Sequence, residues 1–286
     1  MPLPPGLLPG RRADSHKGDY GHTLVVGGST GLSGAAALCS LGALRAGAGL
    51  VTLAMPESLR DIMAAKLTEV MTQPLPETKQ GSISTQALPE LISGIDARDA
   101  VAIGPGLSQQ PQTQQLVRQL VPRIAKPCVL DADALNALVG HTQVLPRGRP
   151  SVITPHPGEM GRLIGLSAAD VQRDRERIAR EFAVRFGIVV ALKGHRTIVA
   201  NVDGELYVND TGNPGMATGG MGDVLAGMIA ALLGQHLAPF DAARLGVYLH
   251  GLAGDLAAER LGTVGLIASD LLATIPVAAR QYQQPH

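Results

Sequence analysis

The chain has 286 residues, of which 45% are hydrophobic and 2% aromatic, and its 24 Lys and Arg residues balance 24 Asp and Glu residues. This length fits one large α/β domain, and the apolar fraction excludes a disordered or fibrous chain. Because the chain has no net charge and no Trp, it lacks the electrostatic field and the stacking platforms that nucleic acids require, and we expect neither nucleic acid nor a membrane as a partner.

The N-terminus shows no secretory signal, because residues 1–9 contain prolines but no charged region ahead of an apolar one. The longest apolar stretch, residues 224–233, is too short to cross a bilayer. Cys39 and Cys128 lie in apolar surroundings and are too few for a disulfide framework, which predicts buried thiols in a reducing compartment. We therefore expect a cytoplasmic protein whose residues 1–14 form a loose leader.

Strands and helices alternate along the rest of the chain. The first unit is a strand at 23–27, a glycine-rich turn at 27–34, a helix at 35–46 and a strand at 49–55. The later elements are a strand at 100–103, a helix at 113–124, strands at 128–130 and 151–154, a helix at 170–186, a strand at 188–192, a hairpin of 197–201 with 205–208, and an apolar helix from Val224. This alternation predicts an α/β fold with three αβα layers around a mostly parallel central sheet.

The predicted strands end in clusters of Gly, Pro, Asp and His. Ligands of open α/β sheets bind outside the carboxyl ends of the strands, so the functional site is expected at that edge. Residues 73–86 are the best loop candidate, but they are too short for an interdomain linker. We expect a single domain over residues 1–286.

The strongest chemical signal is the glycine-rich segment 209–223, which runs into the last predicted helix. Gly219, Gly220 and Gly222 let the backbone approach a phosphate, and the free N–H groups and dipole of the helix form an anion site without cationic side chains. Asp223 lies in the first turn, where a carboxylate can take the proton of a hydroxyl that attacks phosphorus. The alternative is that Asp223 only caps the helix and that the glycines serve packing, but capping accounts for one glycine and one Asp only.

Two segments that follow strands add further candidates. Residues 193–197, of sequence KGHRT, combine two cations and a hydroxyl beside a glycine, which suits nucleotide phosphates; the alternative is a solvated hairpin edge. In residues 154–159, of sequence TPHPGE, two prolines stiffen a loop that is expected to hold His156 and Glu159 apart. His156 would then face a substrate and Glu159 a hydrated Mg²⁺, whereas a lone loop His is more often structural.

Three other clusters are weaker. Asp131 and Asp133 end a strand, although Asp133 is also placed to cap a helix from Ala134. The Gly-Pro-Gly run at 104–106 permits close approach of a ligand or forms a plain tight turn. The turn at 27–34 is not a dinucleotide fingerprint, because its glycines are three apart and no acid follows at the required distance, and no lysine follows a glycine as a phosphate-binding loop requires.

Taken together, these pieces resemble the ADP/ATP-dependent NAD(P)H-hydrate dehydratases, a branch of the ribokinase-like superfamily. The matching segments follow in the family's order and are residues 15–22 (SHKGDYGH), 27–29 (GGS), 33–36 (SGAA), 102–107 (AIGPGL), 130–134 (LDADA), 154–159 (TPHPGE), Lys193 and 211–223. They extend across about residues 15–275. His156 stands where ribokinase-like sugar kinases usually carry Asn, which favours the dehydratase branch.

The resemblance implies a ribokinase-like fold and a repair enzyme. The enzyme would dehydrate the S epimer of NAD(P)H-hydrate, the 6-hydroxylated form of NADH or NADPH, with ADP or ATP as phosphoryl donor and Mg²⁺ as cofactor. The resemblance places the hydrate at Ala36, Gly106, His156 and Asp223. It places the nucleotide at six residues, Lys193, Gly194, His195, Arg196, Thr197 and Gly222, and it names no metal ligand.

The resemblance also bears on assembly and partners. It implies a homo-oligomer, a tetramer. Some relatives carry an additional N-terminal epimerase domain; since this chain has no room for one, a separate epimerase is expected to act on the same metabolite.

The implied chemistry is consistent with the candidate residues. Hydroxide is a poor leaving group because the pKa of water is about 15.7, whereas a phosphorylated hydroxyl leaves as phosphate, which ionises near about 6. Two other functions share the glycine-rich segment: a small-molecule hydroxyl kinase of the same superfamily, of the thiamin-pathway type, and a non-catalytic nucleotide sensor. A stable phosphoester product would identify the first, and nucleotide binding without turnover the second.

Overall fold

A computed structural model describes Leu3 and residues 6–284, and its centre is one nine-stranded sheet. The strands are β1 His22–Val26, β2 Leu50–Pro56, β3 Met71–Leu75, β4 Ala100–Ile103, β5 Cys128–Leu130, β6 Ser151–Ile153, β7 Val189–Leu192, β8 Ile198–Ala200 and β9 Leu206–Val208. The α-helices of the described residues are α1 Ser33–Arg45, α2 Arg60–Lys66, α3 Leu88–Asp96, α4 Pro111–Leu120, α5 Ala132–Ala137, α6 Pro157–Ile164, α7 Ala168–Arg173, α8 Arg175–Phe186, α9 Met221–Gly234, α10 Pro239–Leu261 and α11 Ala268–Gln283.

The strand order is β3-β2-β1-β4-β5-β6-β7-β8-β9. Strands β1 to β7 are parallel, and β8 and β9 form the predicted antiparallel hairpin at one edge. After β3 the chain returns to the other side of β1 to form β4, so the strand order reverses between β1 and β4. Ligands of such sheets bind at this kind of switch point, outside the carboxyl ends of the strands.

Helices cover both faces of the sheet, which confirms the predicted three layers. One core lies between the sheet and α1, α9, α10 and α11, and it includes Val25 of β1. The second core lies under α3 to α8 and includes Leu24 and Val26 of the same strand. Because successive strand residues point to opposite faces, a strand covered on both sides is apolar on both, as Leu24, Val25 and Val26 of β1 are.

Helix α9 packs against α1 at backbone distance. A Cβ atom on Gly227 of α9 would lie 1.9 Å from the carbonyl oxygen of Cys39, and one on Gly42 of α1 would lie 2.5 Å from that of Val224. Almost every residue of α9 from Val224 onward is buried, as expected for a helix that is apolar on all sides. These glycine contacts set the position of α9, and therefore the position of its N-terminus.

The described part of the predicted loose leader contacts the rest of the fold. Leu3 and residues 6–14 form no helix or strand, but Leu7 and Leu8 pack against the core beside α1 and α11. The Arg11 guanidinium lies 4.0 Å from the centre of the Tyr20 ring and donates a hydrogen bond to the Gly47 carbonyl at 2.8 Å. Residues 1, 2, 4 and 5 of the leader lie outside the described residues.

Two predicted elements differ from the structure. The helix predicted at 170–186 is divided into α7 and α8 at Asp174, whose φ of −143° is not helical. The loop predicted at 73–86 begins inside β3, a strand whose Pro74 lacks an N–H group. Proline is tolerated there because β3 is an edge strand with one unpaired side.

Two predictions about burial and membranes can be compared with the fold. Cys39 and Cys128 are both buried free thiols, as predicted, and burial raises the pKa of each. Among the described residues, none of the helices combines the length and the apolar character that a membrane span requires.

The close contact between α1 and α9 yields a stability prediction. Gly227→Ala should lower the free energy of unfolding by roughly 3 kcal/mol, because the added methyl group overlaps the Cys39 carbonyl in a tightly packed core. Gly34→Ala in α1 is the matched control, since nothing lies within 4 Å of its added Cβ, and it should raise stability by roughly 0.5–1 kcal/mol. Urea denaturation measures both; equal stability of Gly227→Ala and the wild type would contradict the packing.

Candidate active site

A cavity of about 800 Å³ opens where β5, β6 and β7 end. Its walls are the residues that follow these strands, the glycine-rich segment and one face of α10. The cavity brings together most of the candidates identified from the sequence: His156, the segment 193–197, Gly222 and Asp223.

The N-terminus of α9 forms an anion site in this cavity. The backbone N–H groups of residues 218–223 donate to no acceptor within the described structure; the first amide with one is that of Val224, which bonds to the Gly220 carbonyl. Gly220 occupies the N-cap with a φ of +92°, and a Cβ there would lie 2.4 Å from Leu38 Cδ1. Glycine at this position therefore satisfies both the backbone conformation and the contact with α1, and it leaves the amides free to bind a phosphate.

Lys193 is held beside this anion site by two carboxylates. Its Nζ lies 2.7 Å from Asp131 Oδ1 and 3.7 Å from Glu159 Oε2. Burial alone lowers the pKa of the ammonium, but Asp131 and Glu159 outweigh it and raise the pKa above its ordinary value. A Cβ on Gly222 would lie 3.2 Å from the same Nζ, so Gly222 leaves room for this charge next to the first turn of α9.

Asp223 belongs to the same charge cluster. Burial, above all, and the nearby Asp131 carboxylate raise its pKa to about 7, and Lys193 only partly opposes them. A carboxylate with a pKa near 7 is a stronger base than an ordinary Asp and is still ionised in a large fraction of molecules at neutral pH. A carboxylate in this position, beside the free amides of α9, can take the proton of a hydroxyl that attacks a phosphate bound there.

His156 and Glu159 are not held apart, contrary to the sequence-based expectation. His156 is the N-cap of α6: its Nδ1 accepts hydrogen bonds from the Gly158 and Glu159 amides at 3.0 and 3.3 Å. The Glu159 carboxylate in turn accepts the His156 amide at 2.8 Å, which completes a capping box. Because Glu159 is engaged with His156 and Lys193, the prediction that it faces a hydrated Mg²⁺ is not supported by this geometry.

The capping box also determines the chemistry of His156. Since Nδ1 accepts two backbone hydrogen bonds, the proton of the neutral ring lies on Nε2. Burial lowers the pKa of His156. The positive charges of Lys193 and Arg162 lower it further, and the Glu159 carboxylate opposes these effects. The neutral ring lines the cavity, and its Nε2 lies 3.5 Å from Glu159 Oε1.

Asp131 and Asp133 have separate roles. Asp131 stands at the N-cap of α5, but its side chain makes no capping bond because it binds Lys193. Asp133 is not a cap, contrary to one reading of the sequence: its Oδ2 accepts the Ser108 amide at 2.9 Å and its Oδ1 accepts Asn136 Nδ2 at 3.1 Å. Only Asp131 lines the cavity.

Ala36 and Gly106, the other predicted substrate residues, do not line this cavity. They lie at the switch point between β1 and β4, where Ser29 Oγ donates to the Gly106 carbonyl at 2.8 Å. A Cβ on Gly27 would lie 2.4 Å from the Pro105 carbonyl oxygen and 3.4 Å from Ala36 Cβ. The two glycine-rich turns of the sequence therefore pack against each other and require glycine for that contact.

Helix α10 supports the glycine-rich segment through side chains that sequence reasoning missed. His250 Nε2 bonds to the Met221 carbonyl at 2.9 Å; burial lowers the pKa of this histidine to about 4, so it is neutral. Asp255 accepts the Gly212 amide at 2.8 Å and Asn213 Nδ2 at 3.0 Å. One sequence signal could have indicated this contact: Gly251 lies inside a helix, and such a glycine indicates close approach of another segment. In the structure a Cβ on Gly251 would lie 2.2 Å from Thr211 Oγ1.

Comparisons with known proteins agree with this arrangement. A sequence profile of the family described as NAD(P)H-hydrate dehydratase matches residues 23–277. The bifunctional NAD(P)H-hydrate repair enzyme Nnr of Moorella thermoacetica is 52% identical over 278 residues, which are 97% of this chain and 52% of that protein. The chain thus spans about half the length of this curated relative.

Two solved structures show the same fold over almost the whole chain. The ADP/ATP-dependent NAD(P)H-hydrate dehydratase of Bacillus subtilis, co-crystallised with ATP and Mg²⁺, is 34% identical with a TM-score of 0.82, and the match covers 96% of this chain and 94% of that one. A ribokinase-like superfamily protein of Enterococcus faecalis is 27% identical with a TM-score of 0.84, covering 97% and 93%. The predicted ribokinase-like fold is confirmed.

The raised pKa of Asp223 predicts a pH-dependent gain of stability in Asp223→Asn. In the folded protein the Asp223 carboxyl keeps its proton up to about pH 7, whereas its reference pKa is 3.8. Between these pH values the native state binds more protons than the unfolded state, so the free energy of unfolding falls as pH rises. Asn carries no such penalty. Near pH 8 the variant should be more stable by up to roughly 4 kcal/mol, from a shift of about three pKa units.

The gain should shrink as pH falls and vanish near pH 4, and urea denaturation across this range measures it. Asp203→Asn is the matched control, because Asp203 is exposed in the turn of the β8–β9 hairpin and does not line the cavity. A gain in Asp223→Asn that is independent of pH would show that Asp223 is not buried at an electrostatic cost.

Proposed function

The chain belongs to the NAD(P)H-hydrate dehydratase family, and from that premise we propose that it converts the S epimer of NAD(P)H-hydrate to NAD(P)H with ADP or ATP as phosphoryl donor. The observation that carries the proposal is the meeting of Asp223, with its pKa near 7, and the free amides at the start of α9. One group removes a proton from a hydroxyl, and the other stabilises the charge that develops on a phosphoryl group.

The proposed reaction has two chemical stages. The C6 hydroxyl of the hydrate attacks the terminal phosphorus of the nucleotide, Asp223 takes the hydroxyl proton, and the shortened nucleotide leaves. The nitrogen lone pair of the reduced ring then expels phosphate from C6, and loss of a proton from C5 restores the dihydropyridine. Each amide that binds a developing phosphoryl oxygen contributes about 3 kcal/mol.

The proposed ligand positions follow the cavity. Lys193 and the loop that follows it, Gly194, His195, Arg196 and Thr197, bind the nucleotide together with Gly222, because they surround the anion site. His156 binds the hydrate, because it lines the same cavity. The assignment of Ala36 and Gly106 to the hydrate stays a prediction, because both residues are buried at the switch point and neither lines the cavity.

The residues present are compatible with Mg²⁺ brought by the nucleotide. No group of three or more metal-binding side chains exists in the described part of the chain, so the protein does not form a metal cage. Mg²⁺ is usually held by phosphates, waters and one or two carboxylates, and Asp131 fits that role because it lines the cavity with only Oδ1 bound to Lys193. When bound, the ion would neutralise phosphate charge.

The proposal includes the remaining sequence-based expectations. These are a single domain, a cytoplasmic location, a homotetrameric assembly and a separate epimerase that supplies the S epimer. The curated relative is described as bifunctional, and the half of its length that this chain matches is the half we assign to dehydration.

A spectroscopic assay tests the proposed reaction. Enzyme, Mg²⁺ and ADP or ATP mixed with NADH-hydrate should give a nucleotide-dependent rise in the reduced-nicotinamide absorbance, with one phosphate released for each NADH formed. Omission of the nucleotide is the control. A stable phosphoester without NADH would identify a hydroxyl kinase instead, and nucleotide binding without any product would identify a sensor.

Asp223→Asn should lower kcat by roughly 10²- to 10⁴-fold, the usual effect of losing a positioned base, while ADP still binds. In the wild type, kcat should fall about tenfold per pH unit below pH 7, because the base is protonated there. Asp203→Asn, which is remote from the cavity, should keep wild-type kcat. A folded Asp223→Asn variant with full turnover would remove Asp223 from the mechanism.

A further inference from the structure

Arg175, the first residue of α8, is buried beneath the nucleotide loop 193–197. Only 9% of its surface is exposed. Its guanidinium donates to three carbonyl oxygens of that loop and of the strand end before it: Leu192 at 2.9 Å, His195 at 2.6 Å and Arg196 at 3.4 Å. All hydrogen bonds described for this side chain therefore go to residues 192–196.

The charge of Arg175 has no acidic partner. Within the described residues, no carboxylate oxygen lies within ion-pair distance of its guanidinium, although twelve such pairs occur elsewhere. Its Nε is a buried atom with no hydrogen-bond partner. Burial lowers the pKa of the guanidinium, and the neighbouring Glu176 only opposes this. A buried charge that is compensated by carbonyl dipoles alone costs stability, so the fold by itself does not account for it.

The loop above Arg175 has an unusual backbone. Gly194 has a φ of +141° and Arg196 a φ of +55°, the second of which is uncommon for a residue with a side chain. A Cβ on Gly194 would lie 3.1 Å from Arg175 Nη2, so the loop rests directly on the guanidinium. The three hydrogen bonds hold this conformation.

The contacts also determine which groups face the nucleotide. Arg175 does not line the cavity, whereas residues 193–197 do. The carbonyl oxygens of Leu192, His195 and Arg196 point to Arg175, so their partial negative charges are compensated on the side away from bound phosphates. The unpaired positive charge lies directly behind the loop, where it adds to the attraction of an anion.

We propose that Arg175 is a positioning residue for the phosphates of the adenine nucleotide: it holds the loop 193–197 in its binding conformation and supplies a buried positive charge behind it. The inference rests on the proposed nucleotide site. Arg175 does not contact the hydrate residues, so its effect should fall on nucleotide affinity and not on the chemical step.

The test compares Arg175→Met and Arg175→Lys in the full chain, with ADP and Mg²⁺ as the probe. Methionine keeps the apolar stem and removes the charge; lysine keeps the charge but cannot donate to three carbonyls in a fixed fork. Isothermal titration calorimetry should show ADP affinity reduced about tenfold or more in both variants, as expected for the loss of hydrogen bonds to a charged group. The KM for ADP should rise to the same extent, while kcat at saturating ADP and the KM for NADH-hydrate stay within about twofold.

Arg180→Met is the matched control, because Arg180 lies on the same helix and its Nε donates to the Gly204 carbonyl of the distal hairpin turn at 3.1 Å. It should leave ADP affinity unchanged. Amide hydrogen exchange at residues 193–197 should speed up in the Arg175 variants only.

The outcomes separate this inference from the proposed function. A wild type that does not bind ADP refutes the nucleotide site itself. If the wild type binds ADP and a folded Arg175 variant binds it equally well, the positioning role is refuted while the dehydratase stands. If Arg175→Met does not fold, Arg175→Lys decides; failure of both to fold would show a requirement of the whole fold and would also overturn the inference.

Discussion

The ion pair between Lys193 and Asp131 is the interaction on which the site depends. It joins the ends of β5 and β7, and through Glu159 it includes the capping box of α6. The ammonium also lies against Gly222 in the first turn of α9. One positive charge thus ties three strand ends to the helix N-terminus, and Asp131, Glu159 and Asp223 would repel one another without it. The neighbouring carboxylates keep this lysine charged in spite of its burial.

The same cluster leaves Asp223 under electrostatic stress, and that stress fits the proposed role of this residue as a base. Burial beside Asp131 raises its pKa to about 7, which an exposed Asp at a helix N-terminus would not have. Two neighbouring carboxylates therefore differ: Asp131 is stabilised by direct contact with Lys193, and Asp223 is not. A carboxylate whose pKa is raised by burial and a neighbouring charge, as that of Asp223 is, is typical of acid–base sites. Burial and the neighbouring Asp131 also make the charged form of Asp223 lower the stability of the fold.

Close backbone contacts provide the precision of the anion site. Gly42 and Gly227 let α1 and α9 touch, Gly220 lets the start of α9 lie on Leu38, and Gly251 lets α10 touch the glycine-rich segment. His250 and Asp255 then fix that segment from α10. A phosphate-binding terminus needs free amides, and free amides need a backbone that is held by other means. Packing and side-chain hydrogen bonds from neighbouring helices supply that support, as Arg175 does for the loop 193–197.

The sequence by itself determined the layered α/β fold and the strands at 100–103 and 128–130, and it singled out Asp223 and residues 219–222, which line the cavity. Hydrophobic alternation and glycine runs ahead of a helix are local patterns, so they can be read from the sequence. It did not predict α10 as a scaffold, the capping box that joins His156 to Glu159, or β3, whose Pro74 is acceptable only at a sheet edge. Three features depend on residues that are far apart in the sequence. The pKa of Asp223 is raised by Asp131, 92 positions away, and Lys193 pairs with Asp131, 62 positions away. The buried Arg175 donates to carbonyl oxygens 17–21 positions away. Only the tertiary structure decided these three features. Burial and the distance between charges depend on which segments pack together, and local sequence patterns do not contain that information.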